Sequence, residues 1–319
     1  MNVDYTVFLE ARLRHGAKNL ARALLVSFGG SAGNAATAAA RILGPGRVRL
    51  LGCVGDDPDG EALLRELMKD GIDVSAILRI RGAPTGRAFV LIDPDGSSTV
   101  ISVPGANLAL KAADVEARAK LVEDAAGIII TNPPKEAGMR LAELAGSRVP
   151  IFLDPGRGWL HGLEELALLS QRSRLFYLPN ELELLEASGC RSLREALERV
   201  LATLERGVLV VKRGAKGALL LDIASGEAYE IPVLPLRDLG MRVVSTVGCG
   251  DVFTGAFAAF VCLGLDPIEA ARRAAVAAGL KATRRTSREA PSLAEVLRAL
   301  EIVERRGLMR PRRILIDSI

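Results

Sequence analysis

Val243-Val244-Ser245-Thr246-Val247-Gly248-Cys249-Gly250-Asp251-Val252-Phe253-Thr254-Gly255-Ala256-Phe257 joins a valine pair, a glycine-rich turn and an apolar run. It reads as the end of a strand, a turn, and a long helix opened by Asp251. Gly248 and Gly250 reach backbone angles closed to other residues and put no side chain over the turn. Amide N–H groups at a helix start lack intrahelical acceptors, and the helix dipole adds positive potential there. Such a terminus is an anion site. Asp251 is the odd member, because a carboxylate repels the anion the turn would attract. Two readings fit these residues alone. In one, Asp251 is a general base that takes a proton from a hydroxyl while the amides hold a transferring phosphoryl group. In the other, it is a first-turn acid that complements the dipole.

Outward from this turn the chain alternates apolar strand runs with helical stretches. Gly127-Ile128-Ile129-Ile130-Thr131, Val149 to Asp154, Phe176-Tyr177-Leu178 and Val208 to Val211 have the composition of strands buried on both faces. Strands separated by helices imply a doubly wound, mostly parallel α/β sheet with helices on both faces and ligands at the strand carboxyl ends. Asp154, Asn180, Gly214 and Gly248 follow such ends. Residues 2 to 9 alternate polar and apolar as a strand does, and residues 86 to 103 read as a hairpin around Asp93-Pro94-Asp95-Gly96. Gly29 to Asn34 lead into an alanine-rich helix from Ala35 to Leu43. No acidic residue ends a second strand at the distance a dinucleotide fingerprint needs. Residues 47 to 54 read as a strand and Glu61 to Lys69 as a helix. No repeat, low-complexity segment or long linker divides the chain.

Composition excludes several classes. The 319 residues are 49% hydrophobic and 25% charged, which is ordinary for a globular α/β protein. The net charge of +4 is scattered among acids, so it favours a small anionic ligand over nucleic acid. The apolar run from Val252 to Leu265 is short for a membrane span, and no signal peptide is visible. Cys53, Cys190, Cys249 and Cys262 show no metal or redox spacing, so free thiols in a cytoplasmic setting are expected. Two histidines leave little material for imidazole chemistry.

Thr246 with Gly248-Cys249-Gly250-Asp251 resembles the C-terminal signature Asp-Thr-x-Gly-Ala-Gly-Asp of the ribokinase-like (PfkB-type) carbohydrate kinases. The N-terminal signature is matched by Gly29-Gly30-Ser31-Ala32-Gly33-Asn34-Ala35-Ala36. Gly52 to Gly60, Pro104-Gly105-Ala106-Asn107, Asn180-Glu181-Leu182-Glu183 and Lys212 to Gly217 follow in the family's order. The resemblance covers roughly residues 2 to 290. It implies one kinase domain over residues 1–319, with a small β-lid from segments near 5–28 and 84–103.

The same resemblance implies ATP and Mg²⁺ as cofactors and a sugar or nucleoside as substrate. Asp251 would be the base, and Gly248, Cys249 and Gly250 the anion hole. Asn2, Asp4, Gly29, Gly30 and Asn34 would hold the substrate. Asn180, Lys212, Gly214, Gly217 and Thr246 would face the nucleotide, with Gly279 on a helix lining the adenine. Glu183 would organise the metal. On chemistry alone, Asn180 and Glu183 also read as an N-cap and a first-turn acid, and Lys212 as either a phosphate ligand or a surface lysine. A homodimer through the lid is a further implication. The alternative is a sugar- or nucleotide-binding regulator without catalysis on the same fold.

Two departures carry expectations. Ser245 stands where the signature has Asp, a residue on which the family's monovalent-cation site draws, so weak activation by potassium is expected. Cys249 stands where Ala is usual, and its place at a helix start predicts the most reactive thiol of the chain. The ends carry another. Family members begin with a buried strand before the Asn-x-Asp pair, whereas Asn2 follows Met1 directly. The apolar tail Ile314-Leu315-Ile316-Asp317-Ser318-Ile319 then either takes that slot, parallel to its neighbours, with Ile319 near Met1, as in a circular permutant, or is a disordered tail after a miscalled start, or packs elsewhere on the surface.

Overall fold

The computed structural model describes residues 1–156 and 162–318. In chain order its strands and helices are β1 (Asn2–Leu9), β2 (Ala21–Gly29), α1 (Ser31–Leu43), β3 (Gly52–Gly55), α2 (Pro58–Lys69), β4 (Ile77–Ile80), β5 (Arg87–Ile92) and β6 (Ser98–Val103). Then come α3 (Ala112–Glu116), α4 (Ala119–Glu123), β7 (Ile128–Thr131), α5 (Lys135–Ala145), β8 (Ile151–Asp154), α6 (Leu163–Arg172), β9 (Leu175–Tyr177), α7 (Glu181–Ser188) and α8 (Leu193–Thr203). The last third holds β10 (Val208–Lys212), β11 (Ala218–Asp222), β12 (Ala228–Ile231), α9 (Cys249–Cys262), α10 (Pro267–Ala282), α11 (Leu293–Arg305) and β13 (Arg312–Ile314).

The main sheet has seven strands in the order β13-β12-β11-β10-β9-β8-β7. It is mixed: parallel from β7 to β10 and antiparallel from β10 to β13. Its apolar runs are buried on both sides because successive side chains enter different cores. Phe152, Phe176, Val208 and Val210 face a core shared with α1, α9, α10 and α11. Ile151, Leu153, Leu175, Tyr177, Leu209 and Val211 face a second core with α5, α6 and α8. Phe152 and Phe176 stack with centroids 4.8 Å apart, and Phe257 of α9 meets both edge-on.

A separate four-stranded sheet, β2-β1-β5-β6, is built from the segments read as the lid. Here the register puts Asp4 and Thr6 on a covered face and Tyr5 on the other. Val26, Tyr5, Phe89 and Ile101 lie side by side across that second face. Helix starts fall earlier than the sequence suggests. The Asp57 side chain accepts from Gly60 N at 2.8 Å and Pro58 occupies the first turn, so α2 begins before Glu61. α1 begins at Ser31 and not at Ala35, so the Gly29 to Asn34 stretch already contains its first turn.

Two expectations are corrected. Val243 and Val244 are not a strand: they are 59% and 45% exposed. Their segment is extended but docked on the end of α10, where Val244 N and Ser245 N donate to Ala282 O at 2.7 and 3.1 Å. The tail does not enter a slot beside the first motif. Ile314 and Arg312 pair antiparallel with Ala228 and Glu230 of β12, at the sheet edge opposite β7. Ile314 and Ile316 pack on the second core there, and Arg312 meets Glu230 at 2.6 Å and Arg313 meets Glu227 at 2.8 Å along the same edge. Residues 316–318 form a short 3₁₀ turn, and Ile319 lies outside the described residues. β7 ends the sheet on the other side among the described residues, along a cavity of about 1380 Å³ that also reaches Asn2, Asp4, Asn34 and Asp251.

Candidate active site

One contact organises the site. A Cβ at Gly255 of α9 would lie 2.1 Å from Ala35 O, so only glycine lets α9 and α1 approach this closely. The approach brings the first turns of the two helices together. Asn34 Nδ2 then donates to Asp251 Oδ2 at 2.7 Å. Ser31, at the start of α1, also favours the charged carboxylate.

Gly248 is the N-cap of α9 with φ of 82°, and a Cβ there would strike Ser287 O. The turn is left-handed at this one residue, as an L side chain would resist. Cys249 N bonds Thr246 O at 3.2 Å. Among the described residues the N–H groups of Thr246, Gly250 and Asp251 have no hydrogen-bond acceptor. They make the anion-binding end that the sequence suggests.

Among the described residues Asp251 makes no direct ion pair, although the Lys212, Lys281 and Met1 ammonium groups act on it from a distance. Burial, seconded by the charge of Asp154, pushes its carboxyl up to about 6, against the opposing effects of Asn34, Lys212 and Ser31. Asn34 is buried and lines the same cavity, and its Oδ1 is without a partner among the described residues. Asp4 is also buried and is raised by desolvation, with Ser287 Oγ donating to its Oδ2 at 2.7 Å. Asn2 Oδ1 accepts from Asn107 Nδ2 at 3.0 Å, and the Met1 ammonium donates to Asn107 Oδ1 at 2.9 Å. Gly29 packs over Asp4 and Ser287, and Gly30 over Met1 and Asn2. The substrate-side residues read from the sequence thus converge on one wall.

Lys212 is no surface lysine. Its Nζ donates to Asp154 Oδ2 at 2.5 Å and to Thr254 Oγ1 at 3.3 Å, while the Thr254 hydroxyl donates to Asp154 at 2.7 Å. A Cβ at Gly250 would come within 3.8 Å of that ammonium, so the cation lies under the turn. Asn180 and Glu183 form a reciprocal capping box: Asn180 N donates to Glu183 Oε2 at 2.8 Å and Glu183 N to Asn180 Oδ1 at 2.9 Å. Burial raises the Glu183 carboxyl, and Asp154 and Glu186 add to the effect against Lys212 and the Asn180 amide. Among the described residues no group of three His, Cys, Asp or Glu side chains is placed to hold a metal by itself.

The remaining candidates separate. Gly214 borders open space, Thr246 is exposed on the turn, and Gly217 packs on Ile231. Gly279 of α10 packs on Leu234, in the chain that follows β12. Burial raises the Cys249 thiol, with Lys281 opposing and Asp251 adding, an effect that runs against the activation expected of a helix start. Thr254, Ser287 and Lys281 were missed, since each meets its partner across a long stretch of chain. Asp154 had one legible signal, its place at a strand end.

A profile of the pfkB family of carbohydrate kinases matches residues 1–293. The ribokinase of Arabidopsis thaliana is 27% identical over 301 residues, covering 88% of this chain and 73% of its own. The ATP-dependent ribose-1-phosphate kinase of Halopiger xanaduensis is 27% identical over 293 residues, covering 92% and 93%. The structure of Arabidopsis thaliana ribokinase complexed with ribose and ATP matches with a TM-score of 0.79 at 25% identity, over 94% of this chain and 96% of that one. Among the described residues no helix is long and apolar enough to cross a membrane. With the fold, both signatures and the whole-length matches in agreement, the chain belongs to the pfkB family of carbohydrate kinases.

Proposed function

We propose that the protein transfers the γ-phosphoryl group of ATP to a hydroxyl of a small sugar or nucleoside, with Asp251 as general base. The observation that carries this reading is the Asp251 carboxylate: held by Asn34, on a residue whose own amide and that of Gly250 are open at the turn, and raised to about 6. A base with that affinity is ionised at neutral pH yet binds a proton far better than an ordinary aspartate. The acceptor hydroxyl gives its proton to Asp251 as its oxygen bonds to phosphorus and the bond from phosphorus to the ADP oxygen breaks. The Thr246, Gly250 and Asp251 amides and Lys212 stabilise the charge on the transferring group. Asp4, Asn2 and the Asn34 amide oxygen supply acceptors and donors for the other hydroxyls.

Mg²⁺ fits the donor set on the nucleotide side. Glu183 is a half-buried carboxylate whose proton affinity is raised chiefly by burial, with Asp154 and Glu186 adding to it against Lys212 and the Asn180 amide, a setting in which a cation would favour the charged form. One carboxylate suffices for an ion that keeps most of its waters. When bound, the metal would neutralise phosphate charge.

The four-stranded sheet acts in this reading as a lid on a single kinase domain of residues 1–319, excluding water that would otherwise consume ATP. Its outer row of Val26, Phe89 and Ile101, 50%, 37% and 52% exposed, supports dimerisation through the lid. Glutamate at Val26 and Ile101 together then gives a monomer by light scattering; an unchanged mass removes this face from the reading.

An ADP-release assay over pentoses, deoxyribose, ribose 1-phosphate, hexoses and nucleosides tests the activity. Turnover of one of them over the ATPase background is expected. Saturable binding without turnover would instead establish the regulator.

A further inference from the structure

We propose that Lys281 is an internal cation that positions the anion-hole turn by fixing the Ser245–Thr246 peptide. It rests on the phosphotransfer reading for its consequence, and on separate observations for its geometry. Lys281 lies at the end of α10 and is 0% exposed, among the largest fully buried side chains of the protein. Its Nζ donates to Ser245 O at 3.3 Å. The turn above it is open to solvent at Thr246 and Gly250, so the ammonium lies behind the turn and not in the cleft.

The direction of that bond matters. In a trans peptide the C=O and the following N–H point opposite ways. With Ser245 O drawn inward to Lys281, the Thr246 N–H is directed outward, and it has no acceptor among the described residues. A cation on the carbonyl also polarises the peptide, which strengthens its N–H as a donor. The same segment is held from the other side, where Val244 N and Ser245 N donate to Ala282 O. Two consecutive residues of α10 thus grip the approach to the turn, one through an acceptor and one through a cation.

A buried ammonium is costly unless its charge is used. Burial lowers the proton affinity of Lys281, and the neighbouring Cys249, Glu289 and Asp251 favour its charge while Arg284 opposes it. An apolar residue of equal volume would fill the site without that cost. A lysine here is therefore explained by the charge and its bond to Ser245, and not by packing.

The experiment compares wild type with Lys281→Met and Lys281→Ala, following kcat, the KM of the acceptor and the melting temperature. Methionine fills the space without charge, and alanine leaves room for a small cation. Lys281→Met is expected to melt no lower than wild type, to keep the acceptor KM, and to lose about tenfold to a hundredfold in kcat, the scale of one misplaced oxyanion donor. Lys281→Ala should regain several-fold in kcat with ammonium or potassium chloride at constant ionic strength, and nothing with tetramethylammonium. Wild type should respond less than twofold. Lys281→Met turning over within twofold of wild type overturns the proposal. So does a loss in both variants that no small cation repairs in Lys281→Ala, or a several-fold potassium activation of wild type. If alanine prevents folding, the methionine variant alone decides. If wild type phosphorylates nothing, the phosphotransfer reading fails separately, and the thermal shift by MgADP reads the turn. A smaller shift in Lys281→Met then supports the proposal, and an equal one overturns it.

Discussion

On the side of the α9 N-terminus proposed to take the acceptor two carboxylates, Asp251 and Asp4, are held by an amide and a hydroxyl, and burial raises both. On the phosphate side Asp154 is matched by the Lys212 ammonium, and a second buried ammonium, Lys281, backs the turn. Asp251 and Thr254, which bonds Asp154, are three residues apart on α9, yet among the described residues Asp154 has a direct ion pair and Asp251 and Asp4 have none. Burial without an ion pair makes a carboxylate accept a proton; a paired carboxylate makes a framework on which phosphate charge can be placed. The asymmetry explains how aspartates so near each other take different parts.

The largest expected effect breaks the acceptor side. Asp251→Asn should lower turnover by about two to four orders of magnitude while leaving the MgADP thermal shift intact. Its stability should move the other way. A carboxyl raised in the folded state contributes stability below its unfolded pKa, and that contribution is lost as pH rises through the folded value of about 6. Asparagine has no proton to lose, so the variant should be more stable than wild type at pH 8, on the order of 2 kcal/mol, with the difference closing below about pH 4. In wild type kcat/KM should fall roughly tenfold from pH 8 to pH 5, following one ionisation. A flat profile, or a variant less stable at pH 8, would remove Asp251 from its role.

Next comes the compensated side. Lys212 and Asp154 have side chains only 12% and 10% exposed. Lys212→Met leaves Asp154 buried without its cation and should cost about 3–5 kcal/mol in urea denaturation. Adding Asp154→Asn should restore most of it. Loss of less than about 1 kcal/mol in the single variant would show that solvent already screens the pair.

Much of the fold could be read from sequence because β8, β9 and β10 are buried on both faces and so run continuously apolar. The turn at Gly248 could be read because a left-handed N-cap nearly demands glycine. What could not be read depends on distant partners. Lys212 meets Asp154 58 residues away, and Asp4 meets Ser287 283 residues away. Val243 and Val244 have the composition of a strand, but their backbone goes to the end of α10, and no pattern within the segment says so. Cys249 has the position of an activated thiol, but burial runs against the helix start. Limited alkylation at pH 7.5 should therefore not label Cys249 first. Fastest labelling there, with protection by MgATP, would reinstate the positional argument.

The smallest effect concerns a region remote from both sides. Deleting residues 312–319 removes β13, the pairs Arg312–Glu230 and Arg313–Glu227, and the bond from Arg194 to Asp317. Those arginines are 74%, 66% and 48% exposed, so their pairs add little. The apolar share is larger: Ile314 and Ile316 pack on the second core, whereas Leu315 is 76% exposed. Two partly buried isoleucines are worth about 1–3 kcal/mol together, so the truncated chain should melt a few degrees lower. Turnover at 25 °C should stay within twofold, because β12 can end the sheet without moving β8, β10 or α9. A tenfold loss of turnover in a truncated protein that is still folded would mean that this edge supports the acceptor and phosphate sides after all. A melting temperature equal to wild type would mean that the antiparallel pairing with β12 contributes nothing in solution.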